Sequence, residues 1–290
     1  MTIQQGTKAL IKELSSIYDE REASAIAAWV FEYITGWRKI DRVINKDSAL
    51  SQEKIHQLNH FTNELMAHKP VQYVLNESWF DGMKLYVDEN VLIPRPETEE
   101  LMNWFLYEAD RLKVASDGKR MRVLDVGTGS GCIPIAIKKK RPSWEVYACD
   151  VSEGALRVAK RNATEQKVDI KFHQLNFLQE SERSSLPTFD LIISNPPYIA
   201  VAEKESIDKH VVEYEPHLAL FVPDDDSLVF YKHLADFGES HLAHGGFMMM
   251  EMHYAQANLL KNLFSQIGYE VEVRKDMHGN DRMIKVSGEW

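Results

Sequence analysis

Cysteine is almost missing from this 290-residue chain, which has only Cys132 and Cys149. One stands beside a glycine-rich stretch and the other at the end of a run with strand character. Both sit in apolar strings, so they read as small buried thiols and not as a bridge. Long hydrophobic runs are missing as well. No stretch of about eighteen apolar residues offers a membrane-spanning helix, and Met1 to Gln5 lacks the charged-then-apolar order of a secretory leader. The expected setting is cytoplasmic and reducing. Positive charge is in short supply: 34 Lys and Arg stand against 44 Asp and Glu, a net charge of −10. No surplus of cations is left to neutralise a phosphate backbone, which disfavours direct binding to nucleic acid. His241, His244 and the other scattered histidines lack cysteine or carboxylate partners at ligand spacing, so no metal is expected.

What the chain has is apolar content, 44% hydrophobic residues, enough for a substantial core and for two domains, one small and one of ordinary size. From Lys8 to about Lys69 the pattern is helical. Leu10, Ile11, Leu14 and Ile17 recur at three- and four-residue spacing, as do Ile26, Trp29, Val30 and Tyr33. Asp41 and Ser51 read as N-caps and Gly36 as a stop, giving a small all-α bundle over 1–69. Its aromatics, Trp29, Phe31, Tyr33 and Trp37, suit either a core or a docking surface. Pro70 breaks the run, and Val71 to Val74 followed by Trp79 to Val87 reads as a β-hairpin linking the domains over 70–92. Val91 to Ile93 is extended and leads into a helix whose first turn gathers Glu97, Glu99 and Glu100, where the dipole favours them. Helix initiation explains Pro96 and the acids but not Arg95, which is suited to orient an acidic substrate or a carboxylate. A polar linker follows around Ser116 to Lys119.

From Val123 the chain alternates strands and helices, the signature of a parallel α/β sheet over 93–290. Val123 to Val126 is a strand, Gly127-Thr128-Gly129-Ser130-Gly131 a glycine loop, and Cys132 to Lys140 a helix. In that order glycines let the backbone approach a nucleotide, with free N–H groups directed at it. Cys132 occupies the place where a dinucleotide fingerprint wants Gly or Ala, which points away from NAD. The next strand ends in Asp150, about twenty residues past the glycines, where an acid accepts from ribose hydroxyls; the alternative for Asp150 is an N-cap. Asp169 to His173 is a third strand. Beyond it, Phe177 is placed either to lie on an adenine face or to fill core. The fourth strand, Leu191 to Ser194, stops at Asn195-Pro196-Pro197-Tyr198, because proline cannot donate to a ladder. An Asn side chain and the carbonyl after it can accept both hydrogens of a planar NH2 group, and a tyrosine ring can pack on its face. Glycine loop and turn fall on the same edge of the sheet. Residues 199–221 are long enough for a lid. A helix to about His244, a turn at Gly245-Gly246, the strand Phe247 to Glu251, another helix and a closing antiparallel hairpin, 269–274 with 282–286, complete the sheet.

These strings resemble the protein-glutamine methyltransferases that modify peptide chain release factors. The resemblance covers nearly the whole length: Gln72-Tyr73, Trp79 to Gly82, Val91 to Glu99, Asp125 to Gly131, Asp150, Asn195 to Tyr198, Tyr214-Glu215-Pro216 and Asp281-Arg282. It implies a Rossmann-like, seven-stranded methyltransferase sheet with an antiparallel C-terminal strand. It also implies S-adenosylmethionine as cofactor and the glutamine of the Gly-Gly-Gln loop of release factors as methyl acceptor. Carried over by position, Gly127, Thr128, Gly129, Ser130, Gly131, Asp150, Phe177 and Asn195 meet the cofactor. Asn195, Pro196, Pro197 and Tyr198 meet the glutamine, with Asn195, Pro196 and Tyr198 as the catalytic set. The helical domain would grip the release factor, and the enzyme is expected to act as a monomer. Three positions depart from the family pattern: Asn76 for glycine, Asn176 for aspartate, and Met252-His253 for an apolar-glycine pair. Two rivals stand beside this reading, methylation of an exocyclic base amine and a non-catalytic binding protein on the same fold. The net charge opposes the first, and the intact Asp150 and Asn195 to Tyr198 oppose the second.

Overall fold

A computed structural model describes residues 1–111 and 120–288; the linker around Ser116 to Lys119 lies outside them. The chain divides after Glu77 into two compact units. The first holds five helices: α1 (Ile3–Leu14), α2 (Glu20–Thr35), α3 (Lys39–Ile44), α4 (Gln52–Met66) and α5 (Val71–Leu75). Local capping sets their ends. Thr2 and Gln5 close a reciprocal capping box on α1, Asp19 caps α2, and Gly36 ends α2 at φ 70°. Ser51 caps α4 as expected, whereas Asp41 lies inside the first turn of α3 and caps nothing. Leu14, Val30 and Leu65 form the bundle core, and of the four aromatics Phe31 is fully buried within it. Trp29 and Trp37 pack on that core, and Tyr33 is the exposed one, edge-on to Phe61.

The segment Val71–Val74, expected as the first hairpin strand, is instead α5. Its β-branched residues favour a strand, but Tyr73, Val74 and Leu75 are all buried, and burial outweighs a weak intrinsic preference. The helix ends on Asn76 at φ 49° and ψ 41°. That left-handed conformation suits glycine and, among the other residues, asparagine, so the departure from the family pattern keeps the turn.

The hairpin itself, β1 (Ser78–Phe80) and β2 (Met83–Leu85), packs with the second unit, where Phe80, Met83 and Leu85 join the core. Asp81 and Gly82 both have positive φ, as a type I′ turn requires. Then come α6 (Pro96–Arg111), β3 (Arg122–Val126), α7 (Cys132–Lys140), β4 (Glu145–Asp150), α8 (Glu153–Glu165), β5 (Lys171–Gln174), α9 (Glu180–Arg183) and β6 (Phe189–Ser194). After a strap, α12 (Val229–His241), β9 (Leu242–Glu251), α13 (Ala257–Ile267), β10 (Glu270–Lys275) and β11 (Asp281–Ser287) complete the chain. The strap contains β7 (Ile199–Ala200), a short 3₁₀ turn, α10 (Lys209–Tyr214), α11 (His217–Leu220) and β8 (Phe221–Val222). Its two short strands hold it together, because β7 pairs with β8.

Seven strands form one sheet in the order β10-β11-β9-β6-β3-β4-β5, with β11 antiparallel to both its neighbours. The other ladders are parallel. Successive strand residues serve opposite faces. Leu191, Ile193 and Met249 meet α6 and α7 residues on one side, while Ile192, Met248 and Met250 meet α12 and α13 residues on the other. Both faces are covered, which is why these strands read as continuous apolar runs. The strand β9 starts at Leu242 and not at Phe247, so Gly245-Gly246 is an irregularity inside a strand. Pairing jumps from Phe189 with Leu242 to Leu191 with Phe247, and a Cβ on Gly246 would run into the carbonyl oxygen of Asp190.

Candidate active site

The register brings four strand ends to one edge: Val126 pairs with Cys149 and with Ser194, and Ser194 with Met250. Ser194 Oγ donates to the Val126 carbonyl at 2.7 Å, tying the turn to the glycine loop. Above this edge opens a cavity of about 1260 Å³, counting its open mouth. Gly127, Thr128, Gly129, Ser130, Asp150, Phe177, Asn195 and Pro197 all line it. Gly131, Pro196 and Tyr198 do not.

Gly127, Gly129 and Gly131 have φ of 74°, 53° and 79°, so the loop curls through conformations that L side chains resist. Four of its five N–H groups are spent within the protein, where free ones were expected. Gly127 and Thr128 donate to the Cys149 carbonyl, Gly131 to the Thr128 carbonyl, and Gly129 to Asp150 Oδ2 at 2.9 Å. The loop therefore supplies shape more than donors. A Cβ on Gly127 or Gly129 would meet nothing within 4 Å, whereas one on Gly131 would lie 3.1 Å from Ala159 Cβ. The last glycine thus allows α7 and α8 to pack. Asn162, buried on α8, braces the loop by donating to the carbonyls of Ser130 and Tyr86, each at 2.9 Å.

Asp150 accepts from Gly129 N and, through Oδ1, from Ser152 N at 2.9 Å. It is not a helix cap; Ser152 caps α8. Burial raises its pKa while those two amides oppose the rise. Each carboxylate oxygen keeps a lone pair for a ligand. Phe177 fills core, packing edge-on against Phe237 at 5.1 Å, and it also lines the cavity. Beneath the loop, Asp125 is fully buried with neither oxygen in a well-formed hydrogen bond, and burial pushes it up to about 7. Thr128 Oγ1 and Ser130 Oγ are also buried, and Thr128 lies close enough to Asp125 to oppose the rise. A carboxylate edge and an aromatic wall fit a nucleoside-bearing ligand. Burial raises the pKa of both cysteine thiols, to about 12 for Cys132, so both are inert.

At the turn, Asn195 Nδ2 donates to Thr98 Oγ1 at 3.0 Å, and Thr98 Oγ1 donates to Glu251 Oε2 at 2.7 Å. The Tyr198 hydroxyl donates to Glu251 Oε1 at 3.1 Å. Burial raises the pKa of Tyr198, reinforced by the charge of Glu251, so the phenol keeps its proton. Burial also raises that of Glu251, opposed by the two hydroxyls and by the charge of Arg282. Neither Thr98 nor Glu251 had been assigned a role in the sequence, although Thr98 lies inside the string Ile93 to Glu99 and Glu251 closes the strand beside the turn. The carboxylate that Arg95 orients is one of the chain's own. The arginine pairs with Glu215, whose other oxygen accepts from Ile93 N, and so pins the strap whose Pro216 and Leu218 roof the cavity. Asn176 Oδ1 accepts from Leu178 N, holding its loop in place of the family's aspartate. Met252 is fully buried and His253 packs beside the Tyr198 ring. Among the described residues no cluster of three or more metal-ligating side chains occurs, and no helix is long and apolar enough to cross a membrane.

The sheet and its cavity are those of a methyltransferase. Residues 109–216 match the family model described as the methyltransferase small domain, and residues 7–75 match the PrmC N-terminal domain. Solved structures at low identity share the fold. A methyltransferase from Pyrococcus furiosus is 18% identical with a TM-score of 0.50, covering 82% of this chain and 100% of its own. The hMettl16 catalytic domain is 13% identical with a TM-score of 0.54, covering 83% of each chain. Similarity in sequence is more specific. The release factor glutamine methyltransferase of Flavobacterium psychrophilum is 40% identical over 99% of both chains, and that of Streptococcus pneumoniae 35% identical over 98% of this chain and 93% of its own. This chain belongs to the release factor glutamine methyltransferase family.

Proposed function

We propose that the protein methylates the side-chain amide nitrogen of the glutamine in the Gly-Gly-Gln loop of peptide chain release factors, using S-adenosylmethionine. The observation that carries the reading is that the glycine loop, Asp150 and Asn195 line one cavity, in a chain alike over its full length to enzymes of that name. The cofactor, when bound, supplies an electrophilic methyl group on a sulfonium. Asp150 would hold it by accepting hydrogen bonds from its ribose hydroxyls, Phe177 would meet its adenine, and the loop 127–131 would wall it in.

An amide nitrogen is a poor nucleophile because its lone pair is delocalised, so the acceptor end must orient it. Asn195 Oδ1 and the Pro196 carbonyl accept the two N–H hydrogens, Pro197 stiffens the turn, and Tyr198, anchored on Glu251, walls the amide plane. The helical unit 1–77 grips the release factor. The enzyme acts as a cytoplasmic monomer, without direct contact to nucleic acid or membrane. Incubation with cofactor and a purified release factor, read by mass spectrometry, is expected to add one methyl to the loop glutamine. Transfer to nucleic acid in place of that glutamine would overturn the reading.

A further inference from the structure

An asparagine amide has two orientations of nearly the same shape and opposite polarity: one turns its oxygen toward the cavity and the other its NH2. The surroundings of Asn195 choose between them. Its partner, Thr98 Oγ1, is a hydroxyl that has already spent its single proton on Glu251 Oε2, so it can only accept from Asn195. Glu251 also faces a second donor, the Tyr198 hydroxyl on its other oxygen; the two hydroxyls and the charge of Arg282 favour its carboxylate form against the rise that burial causes. The chain of bonds from Asn195 through Thr98 to Glu251 therefore has one direction. Its inner bond is shielded, because Thr98 and Glu251 are each 3% exposed.

We infer that Thr98 is a positioning residue, backed by Glu251, that locks the Asn195 amide with its oxygen toward the acceptor. The site then offers acceptors only, and it selects a group that brings two N–H hydrogens. This rests on the reading that Asn195 holds the acceptor amide. The relay sets geometry and moves no proton. With Thr98 replaced by valine, the NH2 of Asn195 loses its partner and the amide is free to turn over. In that orientation its NH2 meets the substrate's NH2, donor against donor.

Thr98→Val and Thr98→Ser separate this role from simple packing, since valine keeps the shape without the hydroxyl and serine keeps the hydroxyl without the methyl. At saturating cofactor, Thr98→Val is expected to lower kcat on the order of thirtyfold, by analogy with losing one oriented polar group at a reacting centre. Cofactor affinity should be unchanged, and Thr98→Ser should stay within about threefold of the parent on the same reasoning. In a double-mutant cycle, Thr98→Val should add nothing to Asn195→Ala, because both act through one amide. Full kcat in Thr98→Val, equal losses in the serine and valine variants, or additive losses with Asn195→Ala would each overturn the inference. If Thr98→Val does not fold, Glu251→Gln takes its place. The new amide turns an NH2 toward one of the two hydroxyls, and a comparable loss of kcat with intact cofactor binding is expected. Unchanged kcat there would also overturn the inference. Failure of the functional reading looks different: the parent enzyme would not methylate the glutamine, or Asn195→Ala would retain full turnover.

Discussion

The two ends of the cavity are built by different means. At the glycine-loop end the chain bends through positive φ at three alternating residues and folds its amides back on Cys149, Asp150 and Thr128, all within a few tens of residues. At the acceptor end the turn at Asn195 is positioned by side chains from far away, Thr98 at 97 residues and Glu251, which binds Thr98 across 153. Backbone shape tolerates side-chain change except where glycine is required. A side-chain relay tolerates change in the backbone neighbourhood but fails when one polar atom is removed.

The comparison can be broken at either end. The largest effect expected is on stability, from the acid under the glycine loop. Asp125 is raised from 3.8 to about 7 by burial, with the nearby Asp150 charge adding to the rise. The folded state then holds a proton that the unfolded chain has lost. The stabilisation is complete below about pH 4 and is lost as pH rises through 7, amounting to about 4 kcal/mol across that window. Denaturant titrations of cofactor-free parent and Asp125→Asn should therefore diverge with pH, the parent losing ground as pH rises. A constant difference would mean that Asp125 does not titrate there.

Next in size, Asn195→Ala is expected to lower kcat about a hundredfold while calorimetry shows a far smaller loss of cofactor binding. Equal damage to both would erase the distinction between the ends. Within the loop, Gly131→Ala should cost about 2 kcal/mol, from left-handed strain together with the contact to Ala159. Gly129→Ala, with open space around its Cβ, should cost about 1 kcal/mol from strain alone. Equal unfolding midpoints for the two would show that packing of α8 on the loop adds nothing. The smallest effect is at Asn176→Asp, which keeps the acceptor for Leu178 N and should change cofactor affinity by no more than about threefold, the scale of a screened surface charge. A larger change would mean that the residue touches the ligand through its charge.

Legibility followed the same division. The strand, glycine loop and helix from Val123 to Lys140 were readable because period, φ demand and apolar content are properties of adjacent residues. So were the Ser51 cap and the stop at Gly36. The helix Val71–Leu75 was misread because its β-branched residues speak for a strand until Val74 and Leu75 join the bundle core. The early start of β9 was hidden by Gly245-Gly246, which look like a turn and form a strand irregularity where Asp190 leaves no room for a side chain. Arg95 looked free to meet a substrate because its partner, Glu215, lies 120 residues on.

The sequence by itself determined the alternation of strands and helices, the placing of loop and turn on one sheet edge, and the family to which the chain belongs. Only the tertiary structure decided which way the Asn195 amide points, which acid stands behind it and what pins the strap. Backbone conformation is encoded in near neighbours, whereas the partner of a buried hydroxyl exists only once β6, β9 and α6 have been packed side by side.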